Sequence, residues 1–154
     1  MIAVVRPMVE NDLPAYVEMA AAFHVSMPAS DIIPFDPDGT AAFLTNLIDK
    51  DNFLVLLAEV DGVPVGIAGA ALYPMYFSPD SVVVQEMWWW LSPHCRGSGA
   101  AQNMYKHIEN WAIENSAVAV FMIALHDKNV ERMAKMYARS GFRPMERTFI
   151  KGLV

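Results

Sequence analysis

Apolar and polar positions change their spacing along the chain, and each change marks an element. Residues 2–6 are short and β-branched and predict a first strand. Leu13, Tyr16, Val17, Ala20 and Phe23 then recur at the i, i+3, i+4 spacing of a helix with one apolar face. Asn11 or Asp12 stands where its cap belongs, and Pro14 falls in its first turn. Residues 25–37 contain Pro28, Pro34 and Pro37 and predict a loop. A second short helix follows over 40–48, with Asp38 or Gly39 near its start.

The period then shortens. Residues 53–60 and 63–73 read as strands joined by Asp61-Gly62, a strong hairpin signal. A loop at 74–80 leads to a further strand at 81–91, which Pro93, Gly97 and Gly99 stop. Helical spacing resumes through Met104, Tyr105, Ile108, Trp111 and Ala112. Residues 117–125 are all apolar without alternation, as in a strand buried on both faces. A helix over 127–140 meets its natural stop at Gly141, and residues 142–151 close the chain as one strand or two short ones. The order β-α-α-β-β-β-α-β-α-β predicts one mixed α/β layer structure.

With 154 residues, no repeat and no linker, the chain has the length of a single domain, 1–154. Its 55% hydrophobic and 18% charged residues exclude a disordered tail. The longest apolar runs fall far short of the ~20 residues of a membrane-spanning helix, and no signal-peptide pattern opens the chain. One cysteine, Cys95, excludes an intrachain disulfide and a cysteine-rich zinc site. The four histidines, His24, His94, His107 and His126, lack ligand spacing, so no metal is expected. The expected setting is reduced and cytoplasmic, without a membrane.

The net charge of −6 argues against nucleic acid as a partner. Its distribution says more. Residues 1–95 hold two basic and twelve acidic side chains, whereas residues 96–154 hold nine basic and five acidic. Either this is an ordinary solvated surface, or one region suits a cationic ligand and the other an anionic one.

The stretch Leu91-Ser-Pro-His-Cys-Arg96-Gly97-Ser98-Gly99-Ala100-Ala101 lies between a strand and a helix. Small residues there let backbone N–H groups approach a ligand, and the helix N-terminus adds partial positive charge. The result is a cradle for an anion such as a pyrophosphate, with Arg96 at its rim. No Gly-Lys-Ser/Thr follows, so it is not a Walker A loop, and Gln102 denies it the third glycine of a dinucleotide fingerprint.

Arg96-x-x-Gly99-x-Ala101 resembles the acetyl-coenzyme A loop of the GNAT superfamily of N-acyltransferases. The strand end Leu91-Ser-Pro before it and the long helix after it are similar too. Asn129 and Tyr137-x-x-x-Gly141-Phe142-Arg143-Pro144 resemble the family's second conserved block, and Val5-Arg6-Pro7…Asp12-Leu13-Pro14 a common family start. The resemblance covers essentially the whole chain. It implies a central mixed sheet flanked by helices, with fourth and fifth strands splayed in a V.

It also implies acetyl-CoA as co-substrate. The pantetheine arm would pair with the backbone of Trp89 to Leu91, and the N–H groups of Gly97, Ser98, Gly99, Ala100 and Ala101 would hold the pyrophosphate. Asn129 matches a position near the pantetheine arm. Arg132, Lys135 and Arg139 either supply a field for the phosphates or form a solvated helix face. Tyr137 matches the acid that protonates the departing thiolate, or else packs the helix on the sheet. Glu86, the only acidic residue in the strand predicted at 81–91, lies near the family's glutamate and is the candidate base, through water. By strict alternation it shares a face with Trp88 and Trp90, opposite the Gln85 side that the resemblance favours; a β-bulge would swap the phase. His24 and His94 are weaker candidates, and Cys95 reads as a small packing residue.

The acceptor side is the loop 25–37. Its Asp31 and Asp36, with Asp38 just beyond, suit a cationic amine. Trp88 and Trp90 either pack the core or wall the acceptor pocket, where an indole can hold a cation; His24 lies beside this loop. The implied activity is acetyl transfer to a primary amine of a small molecule or protein by direct attack. The alternative is a GNAT-fold CoA-binding or protein-interaction module without turnover. A homodimer stays open.

Overall fold

A computed structural model of the chain describes residues 3–153. Strand β1 (Ala3–Pro7) leads through a short 3₁₀ turn, Glu10–Asp12, into α1 (Leu13–Ser26) and α2 (Pro37–Ile48). Strands β2 (Phe53–Val60), β3 (Val63–Met75) and β4 (Ser78–Leu91) form an antiparallel meander. Helix α3 (Ala100–Glu114), strand β5 (Ala119–Phe121) and helix α4 (Val130–Arg139) follow. The sheet order is β1-β2-β3-β4-β5, with β5 parallel to β4 and the other pairs antiparallel. This is the mixed sheet with flanking helices that the sequence implied.

Both faces of the sheet are covered, which is why β2 reads as a near-continuous apolar run. Val55, Leu57 and Ile67 pack under α1 and α2 against Tyr16, Met19, Leu44 and Leu47. Leu56, Ala58, Ala68, Ala70 and Val84 pack under α3 against Ala100, Met104, Ile108 and Ala112. A side chain of this size contributes ~1.5–3 kcal/mol when fully buried. Arg6 ties the N-terminal region together: its guanidinium pairs with Asp12 and Glu59, each at 2.7 Å. That arrangement holds the Asp12 carboxyl below its usual range, mainly through its bond from Arg6. Among the described residues, no helix is long and apolar enough to cross a membrane.

Four expectations need correction. The loop predicted at 74–80 is a tight turn at Tyr76-Phe77, and β4 begins at Ser78. Pro74 and Pro79 signalled a break, but they sit beside a register irregularity, where a ladder tolerates proline. The strand predicted over 117–125 shrinks to Ala119–Phe121 and is only half-buried. The helix predicted over 127–140 begins at Val130. The strand or strands predicted over 142–151 do not form; those residues carry no regular secondary structure, and all but Phe142 are exposed. Of the first strand's predicted residues, Ile2 lies outside the described ones.

Candidate active site

The site begins where β4 and β5 part. Strand β5 pairs with β4 only from Val83 to Gln85, so the β5-facing edge of β4 beyond Gln85 carries no strand among the described residues. This is the expected divergence of the two strands.

A bulge decides what faces the gap. Gly69 pairs with Trp88 and Ala70 with Glu86, leaving Met87 as an extra residue. The bulge swaps the phase of strict alternation. Glu86 therefore shares the α3 side of the sheet with Val84, Trp89 and Leu91, while Trp88 and Trp90 face α1 and α2.

Glu86 is 3% exposed. Its Oε2 accepts the Ile123 N–H at 2.8 Å. Burial pushes its carboxyl up to about 7, against the opposing pull of that hydrogen bond. Tyr137, the buried residue of α4, donates its hydroxyl to the Ile123 carbonyl at 2.8 Å. Burial first, and the nearby Glu86 charge second, hold its phenol far above its ordinary value, so it stays protonated. The two residues are thus gathered at the polar groups on either side of one α-carbon. Trp89 completes this wall, its ring 6.3 Å from that of Tyr137.

The loop after β4 passes through a short 3₁₀ turn, Pro93–Cys95, and enters α3 at Ala100. Gly97 and Gly99 have φ of +100° and +87°. A side chain in such a left-handed conformation costs ~1–2 kcal/mol. A Cβ at either position would meet nothing within 4 Å, so backbone conformation rather than crowding requires glycine, and the space beside both is open. The first N–H groups of α3 have no intrahelical acceptor. Ser98 Oγ takes that of Ala100 at 3.3 Å. Arg96 Nε donates to the Leu91 carbonyl at 3.4 Å, and no carboxylate pairs with its guanidinium among the described residues. Ala101 follows in the first turn.

Asn129 precedes α4, but its backbone N–H and its Nδ2 both bond the Asp127 carboxylate. Arg132, Lys135 and Arg139 are exposed on α4.

The acceptor-side candidates do not converge on Glu86. His24 Nε2 bonds the Ile33 carbonyl at 2.6 Å and leans on Phe35, fastening the α1–α2 loop. Asp31 is exposed on that loop. Trp88 Nε1 donates to the Tyr16 hydroxyl at 2.7 Å, which in turn donates to the Ala68 carbonyl. The indole lies over Gly69, where a Cβ would overlap it. Trp90 lines a cleft of about 340 Å³ with Glu18, Met19 and Ala22. Sequence reasoning missed Ile123, which acts through its main chain and leaves no trace in composition. It also missed Glu18, and the hydrogen-bonding role of Tyr16, whose phenol on an otherwise apolar helix stripe was the available sign.

The β4 edge that is unpaired among the described residues, the glycine-rich turn into α3, and the buried carboxylate and phenol beside the gap make up the candidate site. The family model described as Acetyltransferase (GNAT) family matches residues 17–142, and the chain belongs to that family. No curated protein matches it in sequence. Among solved structures it is similar to the aminoglycoside 6'-N-acetyltransferase AAC(6')-Ih from Acinetobacter baumannii, at 20% identity, TM-score 0.76 and 99% coverage of both chains. It is similar to AAC(6')-Iy in complex with a CoA-containing bisubstrate analogue, at 19% identity and TM-score 0.75, covering 98% of this chain and 97% of that one. A predicted acetyltransferase with acetyl-CoA from Clostridium acetobutylicum matches at 17% identity and TM-score 0.75, over 99% and 97% of the two chains. Identities this low establish a shared fold.

Proposed function

We propose that residues 1–154 act as one N-acetyltransferase domain that moves an acetyl group from acetyl-CoA to a primary amine. The observation that carries this reading is the gathering of Glu86 and Tyr137 around Ile123, where β4 and β5 part. The amine attacks the thioester carbon only when neutral. Glu86, with its carboxyl near neutrality, is matched to accept the amine's proton through water. The C–N bond forms first and leaves a tetrahedral oxyanion, whose collapse breaks the C–S bond. Tyr137, held protonated, gives its proton to the coenzyme A thiolate as it leaves. A free N–H of the β4 edge would meet the oxyanion. The turn from Gly97 to Ala101 suits the pyrophosphate, the Trp89–Leu91 edge the pantetheine arm, and Asn129 would contact that arm.

The acceptor we propose is cationic. Residues 1–95 are strongly acidic, Asp31 and Asp36 lie between α1 and α2 with Asp38 in the first turn of α2, and Trp90 shares its cleft with Glu18. One of the similar structures is named an aminoglycoside 6'-N-acetyltransferase and another holds the bisubstrate analogue CoA-S-monomethyl-acetylneamine, which supports an amine acceptor. The engagement of the Tyr137 hydroxyl by Ile123 favours a second reading, a CoA-binding module without turnover.

Calorimetric titration with acetyl-CoA, with dephospho-CoA as control, followed by an amine panel at low and high salt, tests both. Binding with turnover of cationic amines, weakened by salt, supports the first reading. Binding without turnover supports the second. A best acceptor that is neutral or anionic overturns the cationic assignment, and failure to bind acetyl-CoA overturns the site.

A further inference from the structure

Tyr73 and Gln85 form a polar pair that the acetyl-transfer chemistry leaves unused. Gln85 stands opposite Phe121 on the last rung that joins β4 to β5, so the gap opens at the next residue. It pairs with Ala71 ahead of the bulge at Met87, and Val84 before it packs under α3. Alternation therefore directs Gln85 to the α1–α2 face, opposite Glu86 and on the side of Trp88. The Tyr73 hydroxyl donates to Gln85 Oε1 at 2.5 Å. That bond orients the amide: its oxygen is engaged, and its nitrogen has no partner among the described residues. Every buried side-chain nitrogen or oxygen among them has one, so this NH₂ group lies open to a ligand.

The surface beside it is apolar. Trp88 follows two ladder positions along on the same face, about 7 Å away at the rise of a strand. The Phe43 ring of α2 meets the indole edge-on at 6.2 Å and is 49% exposed, and Met87 is 47% exposed. A donor and an apolar surface at this spacing match the carbonyl oxygen and the side chain of one amino-acid unit whose amine enters the gap. Proton transfer favours the same class. An α-amine, at about 7.7–8.0, stands within about one unit of a base near 7, whereas an alkylamine at about 10.4 stands more than three above it.

We propose, on the acetyl-transfer reading above, that Gln85 selects the acceptor while Tyr73 positions it. The Gln85 amide donates to a carbonyl oxygen next to the reactive amine, and Trp88, Phe43 and Met87 take the apolar side chain. The acceptor is thus an α-amino carbonyl compound with an apolar side chain.

Rates of acetyl transfer to phenylalaninamide, phenethylamine, glycinamide and a straight-chain diamine test this. Phenylalaninamide is expected to exceed each of the others by at least about tenfold in kcat/KM, the worth of one hydrogen bond or one apolar contact. A phenylalanine-led tripeptide as the best acceptor supports the proposal equally, and its order against the amide tells a peptide end from a free unit. Gln85→Leu is expected to lose about tenfold toward phenylalaninamide and less toward phenethylamine, which has no oxygen. Tyr73→Phe, which frees the amide to turn over, is expected to raise KM for phenylalaninamide severalfold with kcat nearly kept; a merely structural defect would lower kcat as well. Phe43→Ser, at an exposed position, is expected to narrow the preference over glycinamide. A wild type that prefers the diamine or phenethylamine overturns the assignment and leaves the catalytic reading standing. So do equal losses toward both aromatic amines in Gln85→Leu, or an unchanged preference in Phe43→Ser. If acetyl-CoA binds but no amine is acetylated, the catalytic reading falls, and tryptophan fluorescence during titration with phenylalaninamide reads the acceptor site alone. Saturable quenching that Gln85→Leu weakens supports the assignment, and its absence overturns it.

Discussion

Replacing Glu86 by glutamine separates the electrostatic cost of this group from its chemistry. Burial raises its carboxyl from an ordinary 4.5 to about 7. Between those values the folded state binds a proton that the unfolded chain has released. The stability tied to this proton is complete below about 4.5 and is lost as pH rises through about 7. A shift of this size corresponds to about 3 kcal/mol. Glutamine has no such dependence. It still accepts from Ile123, but it brings two N–H donors into a closed pocket, and an unmet donor costs about 1–3 kcal/mol at every pH. The absolute stability of the variant mixes the two effects, whereas its change with pH does not. The difference in unfolding free energy between variant and wild type is therefore expected to move by about 3 kcal/mol in the variant's favour between pH 4.5 and 8. In a chain of this length that is roughly 6–12 °C in the gap between their melting temperatures. Thermal unfolding at the two pH values measures it. An unchanged gap would refute the desolvation of Glu86. The acetyl-transfer profile of the wild type is expected to fall on the acid side with an inflection near 7, and the variant to lose ~10²–10⁴ in kcat. Wild-type turnover with an unaltered profile would refute its role as base.

Tyr137→Phe removes the bond to the Ile123 carbonyl and is expected to cost about 1 kcal/mol in denaturant unfolding, with kcat falling while KM for acetyl-CoA stays close to wild type. An unchanged kcat would remove it from the chemistry. Gly99→Ala meets no steric obstacle, yet its φ of +87° predicts a loss of ~1–2 kcal/mol and weaker acetyl-CoA binding in calorimetry. Gly69→Ala drives a methyl into the Trp88 indole and is expected to cost ~1–3 kcal/mol, with a changed near-ultraviolet circular dichroism as the bond to Tyr16 breaks.

Local pattern carried most of the framework. Strand β2 has the bounds that its composition implied, the Asp61-Gly62 turn joins β2 to β3, and the glycines between β4 and α3 hold left-handed backbone. What escaped depends on partners distant in the chain. The apolar run 117–125 leaves the ladder after Phe121, and the Ile123 groups bond Glu86 and Tyr137, 37 and 14 residues away. No property of that run announces them. The face of Glu86 depends on a bulge at Met87, which exists only in the register of β4 against β3. Alternation along β4 alone could therefore offer two answers without choosing between them. Residue type left Trp88 open between core packing and an acceptor wall and offered His24 only as a weaker candidate; the hydrogen bond that each makes within the chain depends on a distant partner.

The position that gathers Glu86 and Tyr137 does so with atoms common to nearly every amino acid. Relatives could place valine, threonine or lysine at 123, whose side chain is 42% exposed, without disturbing either hydrogen bond. Proline, which has no N–H to offer Glu86, is the exception. Sequence drift at this position would therefore be a poor guide to its importance, because natural selection there would act on a backbone path and tolerate many letters.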